Sequence, residues 1–431
     1  MSGSQRRVPG SADQRRTEVV ILGGGYAAVW AARALGHRLR RELRAGRVRV
    51  TLVSATTTHA FHGWTGEVLA GQVRIERART ALVDLVPSDW VVHGSAQRVD
   101  PVGRTVAVTT ADGIRHLPFD HLLVATGSRD ARERVPGLAL HGSSLKDDGG
   151  LEDLLARLAG DASRRGVVVV GGGLAGTEAA AAMATRLRRE QGAARVVLVH
   201  GGPAVLGELR PRFDRVADYA VRHAQRAGVE VVCGRRAARV EPDGVLLDDG
   251  TWIAAGTVVS GVGQSVVSLP GLEVERQPDG RVVTDRFLAT NLDGVWAGGD
   301  GAAVPRPGGS GTCPPNALWA IKGGTRAGRN IARVVRGRRP RPFRFPGLGQ
   351  AASLGVGRGA AELYGVQLTG WLAWLTRWVF FHAFMPSRRA ALGAARDWVA
   401  LAASGRADVT LAGSAAMPGA GLNTGTLDAA V

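Results

Sequence analysis

Cysteine and lysine are nearly missing from this 431-residue chain, and each shortage closes off a class of chemistry. The two cysteines, Cys233 and Cys313, form no Cys-x-x-Cys. That excludes a disulfide framework and fits a reducing compartment. It also leaves no vicinal thiol pair for dithiol exchange, and there is no spacing suited to a metal. Lys146 and Lys322 are the only lysines, so the net charge of +18 rests on arginine. Such a balance favours anionic partners. No basic helix is interleaved with aromatics, however, which argues against nucleic acid. The stretch Met1–Arg16 is polar and arginine-bearing, with no apolar core behind its charges. It reads as a disordered arm and not as a signal peptide.

What the chain does have is glycine, in two matching clusters. Gly23-Gly24-Gly25-Tyr26-Ala27-Ala28 follows the apolar run Val19–Leu22, and Gly171-Gly172-Gly173-Leu174-Ala175-Gly176 follows Val167–Val170. At such a strand-to-helix turn the first glycine makes the tight bend, the second lets backbone approach a pyrophosphate, and the third lets helix pack on strand. The phosphates then meet free N–H groups at the positive end of the helix dipole. Ala28 stands at the third position of the first copy, which the pattern allows. Each helix leads to a second strand, Val48–Val53 and Arg195–Val199. An acid should close that strand to bind the ribose hydroxyls, but Ser54 and His200 stand there instead. Ser54 can offer a neutral hydrogen bond. His200 suits either a hydroxyl or the extra phosphate of NADP, though no arginine follows it directly.

The repetition runs past the glycines. Asp112-Gly113 and Asp249-Gly250 are hairpin signals. Apolar return strands follow, one ending in Ala125-Thr126-Gly127 and the other in Gly261-Val262-Gly263. A third apolar strand, Gly294–Ala297, runs into Gly298-Gly299-Asp300. These features predict an α/β protein with two Rossmann-like three-layer dinucleotide-binding domains, the second inserted in the first, plus a C-terminal amphipathic helical module. The expected boundaries are 17–145 and 265–345 for the first domain, 146–264 for the second, and 346–403 for the module. The arm 1–16 and the small-residue tail 404–431 are expected to be disordered.

In this combination the two fingerprints, Phe119-Asp120 with Ala125-Thr126-Gly127, and Ala297-Gly298-Gly299-Asp300 resemble the pyridine nucleotide-disulfide oxidoreductase superfamily, here without its redox disulfide. The resemblance implies FAD at the first site, on Gly23, Gly25, Tyr26, Ala27, Ala28, Ser54, Ala125, Thr126, Gly127, Gly299, Asp300 and Ala317. It implies NAD(P)H at the second, on Gly171, Gly173, Leu174, Ala175, Gly176, His200 and Gly263. Asp300 would then hydrogen-bond the FAD sugar-phosphate chain, and the helix after it would cover the flavin.

From Val366 to Met385 the chain turns aromatic. Trp371, Trp374, Trp378 and Phe381 step by three and four, one stripe of a helix. Gln367, Thr369, Thr376, Arg377 and His382 argue against a membrane span. An aromatic stripe with Arg388 and Arg389 nearby suits a helix lying in the bilayer interface, and periodicity alone suits a core or dimer helix as well. This tail is similar to that of type II NADH dehydrogenases. The resemblance implies a monotopic enzyme on the cytoplasmic face of the membrane, held to its anionic surface through Trp371–Phe384, that passes electrons from NAD(P)H through FAD to a quinone. It also implies that Glu178 lies near nicotinamide and flavin. The glutamines that usually line the quinone site are replaced at Leu318, Lys322 and Gly323, so Asn316 or Lys322 is expected to supply polar contacts there. His59, His62 or Glu67 could relay protons. A soluble reductase of another acceptor, with the aromatic helix buried in a dimer, and a redox-sensing flavoprotein remain open alternatives. A sulfide:quinone oxidoreductase is disfavoured because it needs cysteines flanking the flavin.

Overall fold

The computed structural model describes residues 15–192 and 195–404, so the expected disordered arm and tail lie, but for Arg15, Arg16 and Ser404, outside the described residues. Two parallel five-stranded sheets dominate it. The first begins with β1 (Thr17–Leu22), α1 (Tyr26–Arg38), β2 (Val48–Ser54), β3 (Val91–His93) and β4 (His121–Val124). The second contains β5 (Gly142–Ser143), β6 (Val167–Val170), α2 (Leu174–Gln191), β7 (Val196–His200), α3 (Asp214–Arg226), β8 (Val229–Cys233) and β9 (Thr257–Ser260). Strands β1 and β6 are near-continuous valine, isoleucine and leucine, as strands covered on both faces must be.

The chain then comes back. Strand β10 (Val295–Ala297) pairs with β4, giving the first sheet the order β10-β4-β1-β2-β3. The second sheet has the matching order β5-β9-β6-β7-β8. The second sheet is therefore an insertion between two strands of the first. Both Asp-Gly signals sit in antiparallel hairpins, the first joining Thr105–Thr110 to Gly113–Pro118 and the second joining Gly244–Leu247 to Trp252–Ala254.

Helix α4 (Ala317–Val335) lies against α1 through two glycines. A Cβ on Gly324 would sit 2.1 Å from the Ala27 carbonyl oxygen, and one on Gly328 2.4 Å from that of Ala31. Mid-helix glycine costs about 1 kcal/mol against alanine. Here it lets two backbones touch, which fixes where the N-terminus of α4 points.

The last segment holds β11 (Gly349–Ser353), β12 (Gly359–Leu363) and β13 (Val366–Thr369) in one antiparallel sheet, then α5 (Gly370–Phe384) and α6 (Arg388–Ser404). The start of the aromatic run is thus strand, not helix. The stripe also faces the other way from a membrane-lying one. Trp374, Trp378 and Phe381 pack on the core, with Phe381 edge-on to Phe61 and Trp64. Trp371 alone of the four is exposed. The reason is Arg377, which shares that face and is drawn inward by buried carboxylates described below. The exposed side of α5 instead carries Trp371, Leu372 and Val379, and α6 exposes Leu392 and Val399. Among the described residues no helix is long and apolar enough to cross a membrane.

Candidate functional site

The two glycine turns are near copies. Gly23 has φ +119° and Gly171 has φ +115°, both in the region that favours glycine. A Cβ on Gly23 would lie 2.2 Å from the Ala125 carbonyl oxygen, and one on Gly171 2.0 Å from that of Gly261. The end of each return strand is therefore pressed against its glycine. The Gly23 N–H donates to Val53 and the Gly171 N–H to Val199, both across to the second strand. Helices α1 and α2 start from Gly25 and Gly173 in the same extended conformation, with no acidic residue in the first turn.

At the first turn the helix end is open, for a Cβ on Gly25 would meet nothing within 4 Å. Around it stand Tyr26, Ala27, Thr126, Gly127, Asp300 and Ala317. Ala28 is buried beneath, where the helix meets the sheet. Ser54 donates its hydroxyl to its own turn, at Thr56 O (2.8 Å). Gly299 (φ +80°) lies against Ala27 and turns the chain so that Asp300 reaches the cavity. Lys146, which sequence reasoning did not single out, donates to Asp300 (2.8 Å), Ser128 (2.6 Å) and Gln264 (2.9 Å). It ties the ends of both return strands to the Gly-Asp turn. Only the tertiary fold brings these four segments together.

At the second turn the helix end is taken. The Leu174 N–H donates to the Glu208 carboxylate (2.7 Å), and the Gly172 N–H donates to His200 Nδ1 (3.3 Å). The Leu206 N–H reaches back to the Gly172 carbonyl (2.8 Å). The loop after β7 is thus folded over the second glycine turn.

A cavity of about 610 Å³ joins the two turns, running from Gly23–Ala27 to Ala175, Glu178, Gly261 and Gly263. Glu178 lines this cavity, and Arg377 bridges it to a second carboxylate, Glu67. Arg377 and Glu67 are fully buried and Glu178 nearly so. Glu178 also accepts the Ser353 N–H (2.9 Å). Burial, with the Glu67 charge beside it, pushes the Glu178 carboxyl up to about 7 despite the opposing pull of Arg377 and Ser353. Burial draws the Arg377 guanidinium down, but the two carboxylates outweigh it and hold it raised. Glu178 therefore stands between the cavity and the C-terminal segment, with its carboxyl raised toward neutrality.

A family model described as pyridine nucleotide-disulphide oxidoreductase matches residues 17–324. The chain belongs to that family. An NADH dehydrogenase-like protein of Mycobacterium tuberculosis is 33% identical over 304 residues, covering 67% of this chain and 73% of its own length. A type II NADH:quinone oxidoreductase of Staphylococcus saprophyticus is 24% identical over 380 residues, covering 83% of this chain and 92% of its own. The structure of Plasmodium falciparum NDH2 in complex with NADH shares the fold, with a TM-score of 0.76 at 13% identity, over 91% of this chain and 99% of that one.

This member of the family keeps its two thiols apart. Cys233 closes β8, and Cys313 is buried with its thiol pushed up to about 11 by burial. Neither lines the cavity that joins the turns. Asn316 does line it, and its side-chain oxygen caps α4 by accepting the Leu318 N–H (2.8 Å). Lys322 does not line this cavity. Ala317 and Ala320 face the cavity, and Lys322 lies two residues on, about 200° around the helix from Ala320. Its ammonium rests outside, over the rings of Phe345 and Phe384. His59 is fully buried and held down to about 4 by that burial. Its Nδ1–H donates to the Gly24 carbonyl (3.0 Å), and burial outweighs that bond and disfavours its charged form. His62 faces the cavity directly.

Proposed function

We propose that this protein is a flavin-dependent NADH:quinone oxidoreductase of the type II class. The observation that carries the reading is one cavity connecting an open and a loop-covered dinucleotide turn, with Glu178 in its wall. The first turn fits FAD. Its helix end is uncapped by any side chain, Gly25 leaves open space for phosphate, and Asp300 offers a carboxylate to a sugar hydroxyl. The second turn fits NADH, with Glu178, Gly261 and Gly263 lining the approach to the first. Bound FAD supplies the chemistry of accepting two electrons as hydride and releasing them to an acceptor.

The chain's own residues orient, screen and hold protons. The N-termini of α1 and α4 both point into the cavity and favour negative charge there. The Glu178 carboxyl, raised to about 7 by burial, lies between the nucleotide cavity on one side and Ser353 and Arg377 on the other. We assign it as the group that passes a proton toward quinone. Trp371, Leu372, Val379, Leu392 and Val399, with Arg388 and Arg389, form the surface we assign to the anionic membrane at the cytoplasmic face.

Anaerobic mixing tests the reading. NADH should bleach the flavin at once, and a long-chain quinone in liposomes should restore its colour. A protein purified without flavin, or one that quinone cannot reoxidise, would overturn it. Flotation with vesicles of anionic lipid tests the surface. Binding lost in Trp371→Ser/Leu372→Ser supports it, and unchanged binding removes it.

Glu208 gives a further expected result. Its carboxylate holds the amide that a pyrophosphate would use. Such a charge at an exposed helix end is worth about 0.3–1 kcal/mol. Glu208→Gln should therefore tighten NAD binding by roughly two- to fivefold in calorimetric titration. Unchanged or weaker binding would show that the carboxylate does not compete.

A further inference from the structure

The end of β7 lacks the acid that would bind a ribose hydroxyl, and the fold fills that place with positive charge. His200 pairs in register with Cys233 on the neighbouring strand β8. The turn after β8 is hydrogen-bonded to the residues after β7, through Gly234 N–H to Gly202 O (2.8 Å) and Arg235 N–H to His200 O (3.3 Å). Arg235 and Arg236 are thereby set beside His200. The Arg236 side chain lies flat across Gly201, where an added Cβ would sit 2.5 Å from its Cγ and 3.0 Å from its Nε. Arg236 is exposed and forms no ion pair among the described residues, whereas Arg235 is committed to Asp249 (2.5 Å). His200 uses Nδ1 to accept the Gly172 N–H, which leaves Nε2, beside Gly202, as the donor. The other carboxylate of this loop, Glu208, is held at the start of α2.

We propose that this is a subsite for the 2′-phosphate of an adenine dinucleotide, with Arg236 as the main contact and His200 as the second donor. The protein then accepts NADPH at its second turn as well as the NADH for which its relatives are named. The proposal rests on the reading that the second turn binds the electron donor. Its logic is general: an acid at the end of this strand selects the free 2′-hydroxyl, and a nearby arginine accommodates the 2′-phosphate. A guanidinium–phosphate hydrogen bond is among the stronger polar contacts. Because the site is exposed, salt should weaken it.

Titration of the flavin-loaded protein with 2′,5′-ADP and with 5′-ADP tests the subsite without turnover. The 2′-phosphate should tighten binding by about tenfold or more. Arg236→Ala should remove most of that gain and leave 5′-ADP within about twofold of wild type. His200→Ala should remove a smaller share. Equal or tighter binding of 5′-ADP, or a parallel loss of both ligands in Arg236→Ala, overturns the proposal. Flavin reduction by NADH without any preference for 2′,5′-ADP sinks the subsite alone. Failure of both NADH and NADPH to reduce the flavin sinks the function itself.

Discussion

Gly171→Ala is expected to leave a yellow protein that NADH bleaches far more slowly, whereas Gly23→Ala is expected to leave one that holds little flavin. Both glycines have the same strained φ and the same close carbonyl neighbour. An alanine at such a φ costs about 1–3 kcal/mol in backbone strain. The added Cβ would also force the return strand away from the turn, by contact with Ala125 in one case and Gly261 in the other. Displacing a bound group by about 1 Å can cost on the order of a hundredfold in rate. Stopped-flow reduction of Gly171→Ala should therefore slow by about that factor while flavin absorbance per protein stays at wild type. If Gly171→Ala loses flavin as Gly23→Ala does, or reduces at the normal rate, the division of labour between the turns is wrong.

Arg377→Met is expected to be the most destabilising single change at the site. It would leave Glu67 and Glu178 as two buried carboxylates facing each other without their shared cation. Removing one partner of a buried ion pair typically costs about 3–5 kcal/mol. The loss should depend on pH with a definite sign. A carboxyl raised in the folded state contributes stability that is present below its unfolded pKa and lost as pH rises through its folded value. For Glu178 that window runs from the ordinary 4.5 up to about 7 in wild type. Without Arg377 it moves higher. Urea denaturation should therefore show a larger deficit at alkaline than at mildly acid pH. The triple variant Glu67→Gln/Glu178→Gln/Arg377→Met should recover much of the loss, since no unpaired charge remains. A deficit independent of pH would falsify this account of the triad.

Much of the fold was legible from local rules. Val19–Leu22 and Val167–Val170 could only be strands buried on both faces, and the glycines after them could only be turns into helices. The Asp-Gly hairpins obeyed short-range turn chemistry. Legibility failed where a side chain answered to a partner far along the chain. The stripe Trp374, Trp378 and Phe381 looked the same from the sequence whether it faced lipid or core. Its rotation is set by Arg377 reaching Glu67 and Glu178, which are distant in the chain and adjacent in the fold. Lys322 looked close to the cavity because Asn316 and Ala317 are, but the turn of α4 carries it outside.

The sequence by itself therefore determined two dinucleotide turns, their order and the strand that returns to close the first sheet. Each of these is written in residues a few positions apart, within the reach of a single turn or strand. The tertiary structure alone decided what surrounds the two turns. Glu208 reaches Leu174, Lys146 reaches Asp300, and Arg236 lies beside His200 only because a parallel sheet sets side by side strands that the chain separates by a helix. No arginine directly follows His200 in sequence, yet Arg236 stands next to it in space.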